Sequence, residues 1–394
     1  MQIMRYIKYS IFFMLIFSVH LAVAADAKPP ILIGLTAGFG LKNSRTAQAI
    51  EKGVSLAIHE INASGGVLDG RPLKLITRDD RGLPARGQDV VTELADNPDV
   101  LAVFTGRFSP VTIAVAPIAN ARKILLLAPW SAADSITKHA YPNYVFRVSL
   151  TDSWALHAML EHAQQRGFKK IVLFIPNTAW GRSCEQALLQ AQKRDYQFKH
   201  IAIKYNLGEI DFRHRIKVAS DFAADAIFMV SNEAEGAPIV QQIAELPAAS
   251  RMPLVAHWGV LGGDFPKLAG DALHAVDFTL ITTFSFENNR RDKAQQVAAG
   301  VKRLFDQDAK TMHAQPGFAH AYDLTHMLAL AIREAGSAER TSVRAALEQL
   351  ESYRGLTRDY HRPFSKSDHE GLDQQQVFIA RYDRFGKVRK MSEH

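Results

Sequence analysis

The tract from Val100 to Ser131 restricts the fold more tightly than any other stretch of the chain. Val100-Leu101-Ala102-Val103-Phe104-Thr105 is a continuous apolar run. Gly106 follows as a turn, Ser109-Pro110 opens a short helical segment, and Ile124-Leu125-Leu126-Leu127-Ala128 is a second apolar run that ends at Pro129-Trp130-Ser131. Apolar runs of this length without alternation read as strands covered on both faces, as when helices pack on either side of a parallel sheet. Ser109 reads as the N-cap and Pro110 as the first helical residue, so the free N–H groups of the helix open at the carboxyl end of the strand. Helix ends of that kind hold anions. The tract therefore predicts a ligand site at the edge of an open α/β sheet.

The same alternation runs through most of the chain. Ile31-Leu32-Ile33 is a short strand, and Ala47, Ile50, Val54, Ala57, Ile58 and Ile61 recur at helical spacing until Asn62 to Gly66 stop them. A strand over 73–77, a helix through Gln88 to Leu94, and an extended crossing over 141–147 follow. Asp152 is placed to cap a helix reaching Arg166, which Gly167 ends. Strands are predicted over 170–175, 198–205, 226–230 and 253–256, with helices near 184–194, 212–220 and 236–246 between them. Repeated βαβ order of this kind requires largely parallel sheets.

The last third differs: 280–286 is extended, helices cover 292–307, 318–335 and 342–350, the loop over 357–374 is polar and irregular, and the tail alternates over 376–381. A chain of 394 residues with 47% hydrophobic content exceeds one ordinary domain. No Pro- or Ser-rich linker divides it, so two lobes joined by several short crossings are expected.

The amino terminus predicts export. Arg5 and Lys8 precede an apolar run from Ile11 to Val19, and Ala22-Val23-Ala24 offers small residues for cleavage before Ala25. The alternative is a membrane anchor, but the apolar core is shorter than the ~20 residues of a spanning helix and His20 interrupts it. With residues 1–24 removed, the formal charge falls from +7 to +5. Its basic residues are scattered, which argues against a nucleic-acid face and favours anionic solutes modestly. The lone Cys184 excludes a disulfide framework and a cysteine-based metal cluster; following Gly181-Arg182-Ser183 at a helix start it could be a reactive thiol, and it reads more readily as a packing residue.

Ile58-His59-Glu60-Ile61-Asn62-Ala63-Ser64-Gly65-Gly66-Val67-Leu68-Asp69-Gly70-Arg71-Pro72-Leu73, followed by Asp79-Asp80, resembles the signature of type I periplasmic solute-binding proteins. The likeness is to the branched-chain amino-acid (Leu/Ile/Val) binding group of ABC importers. It continues through Ala128-Pro129, Phe146-Arg147, Trp180-Gly181, Leu268-Ala269-Gly270-Asp271-Ala272, Ala321-Tyr322-Asp323 and Tyr353-Arg354-Gly355-Leu356-Thr357. The resemblance implies two doubly wound, flavodoxin-like lobes with parallel sheets, joined by three hinge crossings near Val148, Thr282 and Leu356, with the ligand in the cleft. One lobe then comprises 25–148 with 283–356, and the other 149–282 with 357–394. It also implies a periplasmic location and a monomer that meets a membrane permease.

By the same resemblance, Ser109 matches the position that holds a ligand carboxylate, although helix capping alone also accounts for it. Trp130, Ser131 and Ala132 match the second strand-end loop, and Trp180 matches an aromatic that closes from the other lobe. Asn232 follows the strand ending at Val230. Trp258 falls where amino-acid binders carry an acidic residue for the ligand ammonium, with Glu233 or Glu235 as the substitutes nearest in sequence. Arg107 and Arg182 are candidate charge partners or plain surface residues; Phe39 and Asn43 lie in the first cleft loop. The three tryptophans suggest a flat, apolar or aromatic carboxylate, and also suit ordinary packing of loop bases.

Other chemistry is absent from the sequence. Gly34 to Gly40 lacks dinucleotide and phosphate-loop spacing, and His59-Glu60 has no second histidine in zinc-protease register. No histidine spacing points to a metal, and no cofactor is expected. Gly181-Arg182-Ser183-Cys184 is not a nucleophile elbow. Delivery to an ABC importer leads the functional readings; the alternatives are presentation of the closed form to a membrane receptor kinase or cyclase, and a secreted enzyme on the same scaffold.

Overall fold

The computed structural model describes residues 28–41, 45–194, 196–287 and 289–391. The predicted leader and Asn43 lie outside them. Five parallel strands, β1 (Ile31–Ala37), β2 (Leu73–Asp79), β3 (Val100–Thr105), β4 (Leu125–Ala128) and β5 (Val145–Arg147), form one sheet in the order β2-β1-β3-β4-β5. Helices α1 (Thr46–Ala63), α2 (Pro84–Asp96) and α3 (Ser109–Ala121) connect its first four strands. This is the doubly wound order whose switch point falls between β1 and β3.

Helix α4 (Asp152–Gln165) starts the second lobe. There β6 (Lys170–Pro176), β7 (Lys199–Tyr205), β8 (Ala226–Met229), β9 (Leu254–Ala256) and β10 (Phe278–Thr282) pair in the order β10-β9-β8-β6-β7. The same winding is thus used twice. Its helices are α5 (Ala179–Arg194), α6 (Arg213–Asp221), α7 (Glu233–Ala244) and the short α8 (Phe265–Ala269) and α9 (Ala272–Ala275).

After β10 the chain returns to the first lobe through α10 (Asp292–Phe305), α11 (Gln315–Ala335) and α12 (Arg340–Leu347). Helix α11 lies so close to α1 that a Cβ on Gly53 would stand 2.3 Å from the Phe318 carbonyl oxygen, so only glycine fits. A hairpin of β11 (Ser352–Arg354) and β12 (Asp359–His361) is held to α11 by Asp323, which accepts from the Leu356 and Thr357 N–H groups and the Tyr360 hydroxyl. The chain then rejoins the second sheet through β13 (Phe378–Tyr382), antiparallel to β10, and β14 (Val388–Lys390).

Several element starts differ from the sequence prediction. Helix α3 begins at Ser109 itself, with Phe108 at the cap position, because the Ser109 hydroxyl is turned away to accept from Ala133 N–H at 3.3 Å. Helix α4 begins at Asp152, and Thr151 caps it by accepting from Trp154 N–H. Asp152 instead accepts from the Trp180 indole N–H at 3.1 Å. Helix α5 starts at Ala179, five residues before Cys184, and β10 ends at Thr282, where Thr282 Oγ1 donates to the Phe284 carbonyl.

The last residue of β5 anchors two crossings together. Arg147 is fully buried, and its guanidinium forks onto Glu370 at 2.7 and 2.6 Å while also donating to the Ser131 and Ala133 carbonyls. Glu370 lies on the segment that runs from the β11–β12 hairpin to β13. Removing one member of a buried, hydrogen-bonded ion pair strands the other. Glu370→Ala should therefore lower unfolding free energy by about 3–5 kcal/mol in urea titration, and Arg147→Met combined with Glu370→Leu should recover most of that loss.

Candidate functional site

Parallel winding sends β1–β5 of one lobe and β6–β10 of the other each toward one edge, where the connecting helices begin. The loops after β3 and β4 from one lobe and those after β6, β8 and β9 from the other meet around a narrow slot of about 30 Å³. That volume holds about one water molecule, so the two lobes are closed on each other. Seven of the predicted residues line it: Arg107, Ser109, Trp130, Ala132, Trp180, Asn232 and Trp258.

The sequence reading did not pick out Phe108, Pro110, Thr178, Leu207 and Gly259, which complete the lining. Phe108, Pro110 and Gly259 adjoin chosen residues in sequence and Thr178 lies two positions before Trp180, and that proximity is the signal that could have found them. A Cβ on Gly259 would lie 2.7 Å from the Trp180 ring and 2.3 Å from the Ser231 carbonyl oxygen, so glycine lets that ring settle on the backbone.

Ser131 and Phe39 are not in the lining. Ser131 is buried, donating to the Gly106 carbonyl at 2.9 Å and sharing a hydrogen bond with Thr112 at 2.7 Å. Its hydroxyl braces the two strand-end loops. Phe39 packs as a partly buried side chain against the core. In the first turn of α3 the Val111 and Thr112 N–H groups donate back to the Phe108 carbonyl, so the positive end of the helix is presented chiefly around Ser109. Arg182 and Glu235 are outside the lining as well; Glu235 accepts from Gly208 N–H.

Charge at the slot is arranged across the lobes. Arg107, two residues past β3, forks onto Glu233, the first residue of α7, at 2.7 and 3.0 Å. The side chains are 8% and 2% exposed. The residues are 126 positions apart, and the pair neutralises both charges in a water-poor site. Arg107 also lies over the Phe108 ring at 4.9 Å. Beside it the head of α1 reaches across, with Arg45 N–H and Thr46 Oγ1 both donating to the Gly262 carbonyl.

Aromatic contacts join the lobes too. Trp130, from the loop after β4, stacks on Trp258, from the loop after β9, with ring centroids 4.8 Å apart and planes at 21°. The two rings face each other directly. Trp180 stands edge-on to His257 at 5.1 Å. His320, on α11, braces this floor: its Nδ1 faces the Pro129 carbonyl at 2.9 Å, its Nε2 faces the Thr283 hydroxyl at 3.0 Å, and its ring lies 5.8 Å from Trp258. The carbonyl assigns the proton to Nδ1 and leaves Nε2 as an acceptor. Burial pushes the His320 pKa down to about 4.

The sequence matches the family described as periplasmic binding protein over residues 30–387. The chain belongs to that family, whose members are solute-binding proteins of the periplasm, and its role is solute binding. It is 22% identical over 319 residues to the Leu/Ile/Val-binding protein BraC3 of Rhizobium johnstonii, covering 81% of this chain and 83% of that one. Its fold superposes on a type 1 periplasmic binding protein from Bordetella pertussis Tohama I with a TM-score of 0.82 and 23% identity, over 92% and 99% of the two chains. It also superposes on a solute-binding protein of an ABC transporter from Rhodopseudomonas palustris BisB5, in complex with 3,4-dihydroxybenzoic acid. That match has a TM-score of 0.74 and 19% identity, over 92% and 96%.

The lowered pKa of His320 makes the site sensitive to acid. Above the ordinary value of 6.5 the ring is neutral in both folded and unfolded chains, and its contribution is fully present. As pH falls from 6.5 toward about 4, only the unfolded chain takes up the proton, so stability is lost. The loss should total about 3 kcal/mol. Urea titrations across that range should show a shallower pH dependence for His320→Gln than for the wild type.

Proposed function

We propose that this periplasmic binding protein captures a small organic acid with a flat, apolar or aromatic body and delivers it to the permease of an ABC importer. One observation carries the reading: among the described residues, Arg107 is the sole charged residue in the slot lining, amid three tryptophans and Phe108. An α-ammonium group would be desolvated there with no free carboxylate, since both oxygens of Glu233 already accept from Arg107. A carboxylate suits the side where the head of α3, Ser109 and the unpaired Nε–H of Arg107 meet. The aromatic acid bound by the Rhodopseudomonas protein is consistent with such chemistry.

Entry of that ligand requires the lobes to part, because the closed slot is an order of magnitude below the ~300 Å³ of a small-molecule site. Parting separates Trp130, carried by one lobe, from Trp258, carried by the other, and the ligand ring enters between them. The aromatic contact to be replaced is worth about 0.5–1.5 kcal/mol, so a ring of similar area restores it. We assign the hinge to Val148, Thr282 and, in place of Leu356, which sits in the β11–β12 turn held to α11 by Asp323, the segment between that hairpin and β13. The mature chain begins at Ala25 and acts as a monomer.

Calorimetry with hydroxybenzoates, aliphatic carboxylates and amino acids tests the reading. Aromatic acids should bind, and Trp180→Ala should weaken them about tenfold, equivalent to about 1.4 kcal/mol, with an unchanged circular dichroism spectrum. Tight binding of leucine or valine without binding of aromatic acids would overturn it.

A further inference from the structure

Beneath the slot, three residues from three different elements bring unlike ligand atoms together. Asp152 is the first residue of α4, Cys184 lies in α5, and His257 follows β9. A carboxylate oxygen, the thiol sulfur and a ring nitrogen all lie within 4.8 Å of one another, and all three residues are buried. It is the one such group among the described residues.

The cluster is incompletely satisfied as it stands. Asp152 Oδ2 and both ring nitrogens of His257 are buried without a hydrogen-bond partner. His257 Nε2 approaches Asp152 Oδ1 at 3.3 Å but is not aligned to donate to it. Buried polar atoms are ordinarily paired, so three orphans in one place point to something that belongs between them. Asp152 Oδ1, by contrast, is held by the Trp180 indole N–H at 3.1 Å, leaving its other oxygen directed elsewhere.

We propose that Asp152, Cys184 and His257 bind a divalent transition-metal ion of the zinc type. Carboxylate, thiolate and neutral imidazole form the mixed set such an ion takes in tetrahedral sites. A thiolate and a carboxylate offset its two positive charges, so the loaded site is neutral, which suits full burial. Ligand atoms in a zinc tetrahedron stand about 3.3–3.7 Å apart, so side-chain adjustment of about 1 Å closes the site. Three protein ligands leave the fourth position for water.

In the empty site the Cys184 thiol directs its proton to the Asp152 carboxylate as a hydrogen-bond donor. Binding releases that proton to solvent as the sulfur–metal bond forms. The indole of Trp180 then acts as the outer hydrogen-bond partner that orients a ligating carboxylate. Because Trp180 and Trp258, the latter next to His257, both line the slot, the ion fixes two of its walls. The inference does not depend on the identity of the slot's ligand.

Cobalt(II) provides the test on chelator-treated full-length mature protein. Cys184 is the only cysteine in the chain, so a thiolate-to-cobalt charge-transfer band in the wild type reports this site without any variant. The band should appear at one equivalent of cobalt, and zinc should displace it. Zinc at a hundredfold excess over its Kd should raise the thermal midpoint by roughly 3–4 °C. Cys184→Ala should abolish the band, and His257→Asn should weaken cobalt binding at least tenfold. Absence of the band in the wild type overturns the proposal, as does a zinc-induced thermal shift that survives unchanged in both variants.

Discussion

Parallel pairing in both sheets is the constraint on which the remaining structure depends. A strand that must pair parallel to its predecessor cannot turn back through a hairpin; it needs a crossover helix, and crossovers of one hand leave β1–β5 of one lobe and β6–β10 of the other each pointing one way, with β13 and β14 added antiparallel at the edge. All the loops after the strands, and all the helix starts, then fall on one edge of each sheet. When two such lobes are wound alike and set edge to edge, the slot is lined by loop residues whose chain positions lie far apart. The sheets themselves contribute rigidity: β3 and β4 are buried along their whole lengths, so Arg107 and Trp130 project from a fixed base.

Closure rests on a few contacts of different kinds that share the slot. The Arg107–Glu233 fork is directional and water-excluded, whereas the Trp130–Trp258 stack is broad and apolar. Each joins the loop of one lobe to the loop of the other, so opening breaks both together. At the crossing, the Arg147–Glu370 pair binds the end of β5 to the segment that feeds β13. The two crossing segments are thereby tied to each other beside the slot. Asp152, five residues past Arg147, connects this crossing to the Trp180 wall through its carboxylate.

Much of the ladder of elements was legible in the chain because apolar runs and helical spacing are local properties. The two buried runs around Ser109 announce β3 and β4, and the spacing from Ala47 to Ile61 announces α1. The strand-end loops were legible for the same reason, since a residue that follows an apolar run falls at the cleft edge. Local rules misjudged what individual side chains do there. Ser109 looks like a cap, yet Ala133 N–H draws its hydroxyl away; Ser131 looks like a ligand hydroxyl, yet it donates to Gly106. Both outcomes depend on atoms more than twenty residues distant.

By itself, then, the sequence determined the βα alternation, the doubly wound class, the resemblance to solute-binding proteins and most of the slot's lining, because each follows from neighbours along the chain. Only the tertiary structure decided that Glu233 answers Arg107, that two tryptophans stack face to face, and that Asp152, Cys184 and His257 converge. Those relations are distances between residues brought together by separate crossovers, and electrostatic and packing energies depend on distance in space.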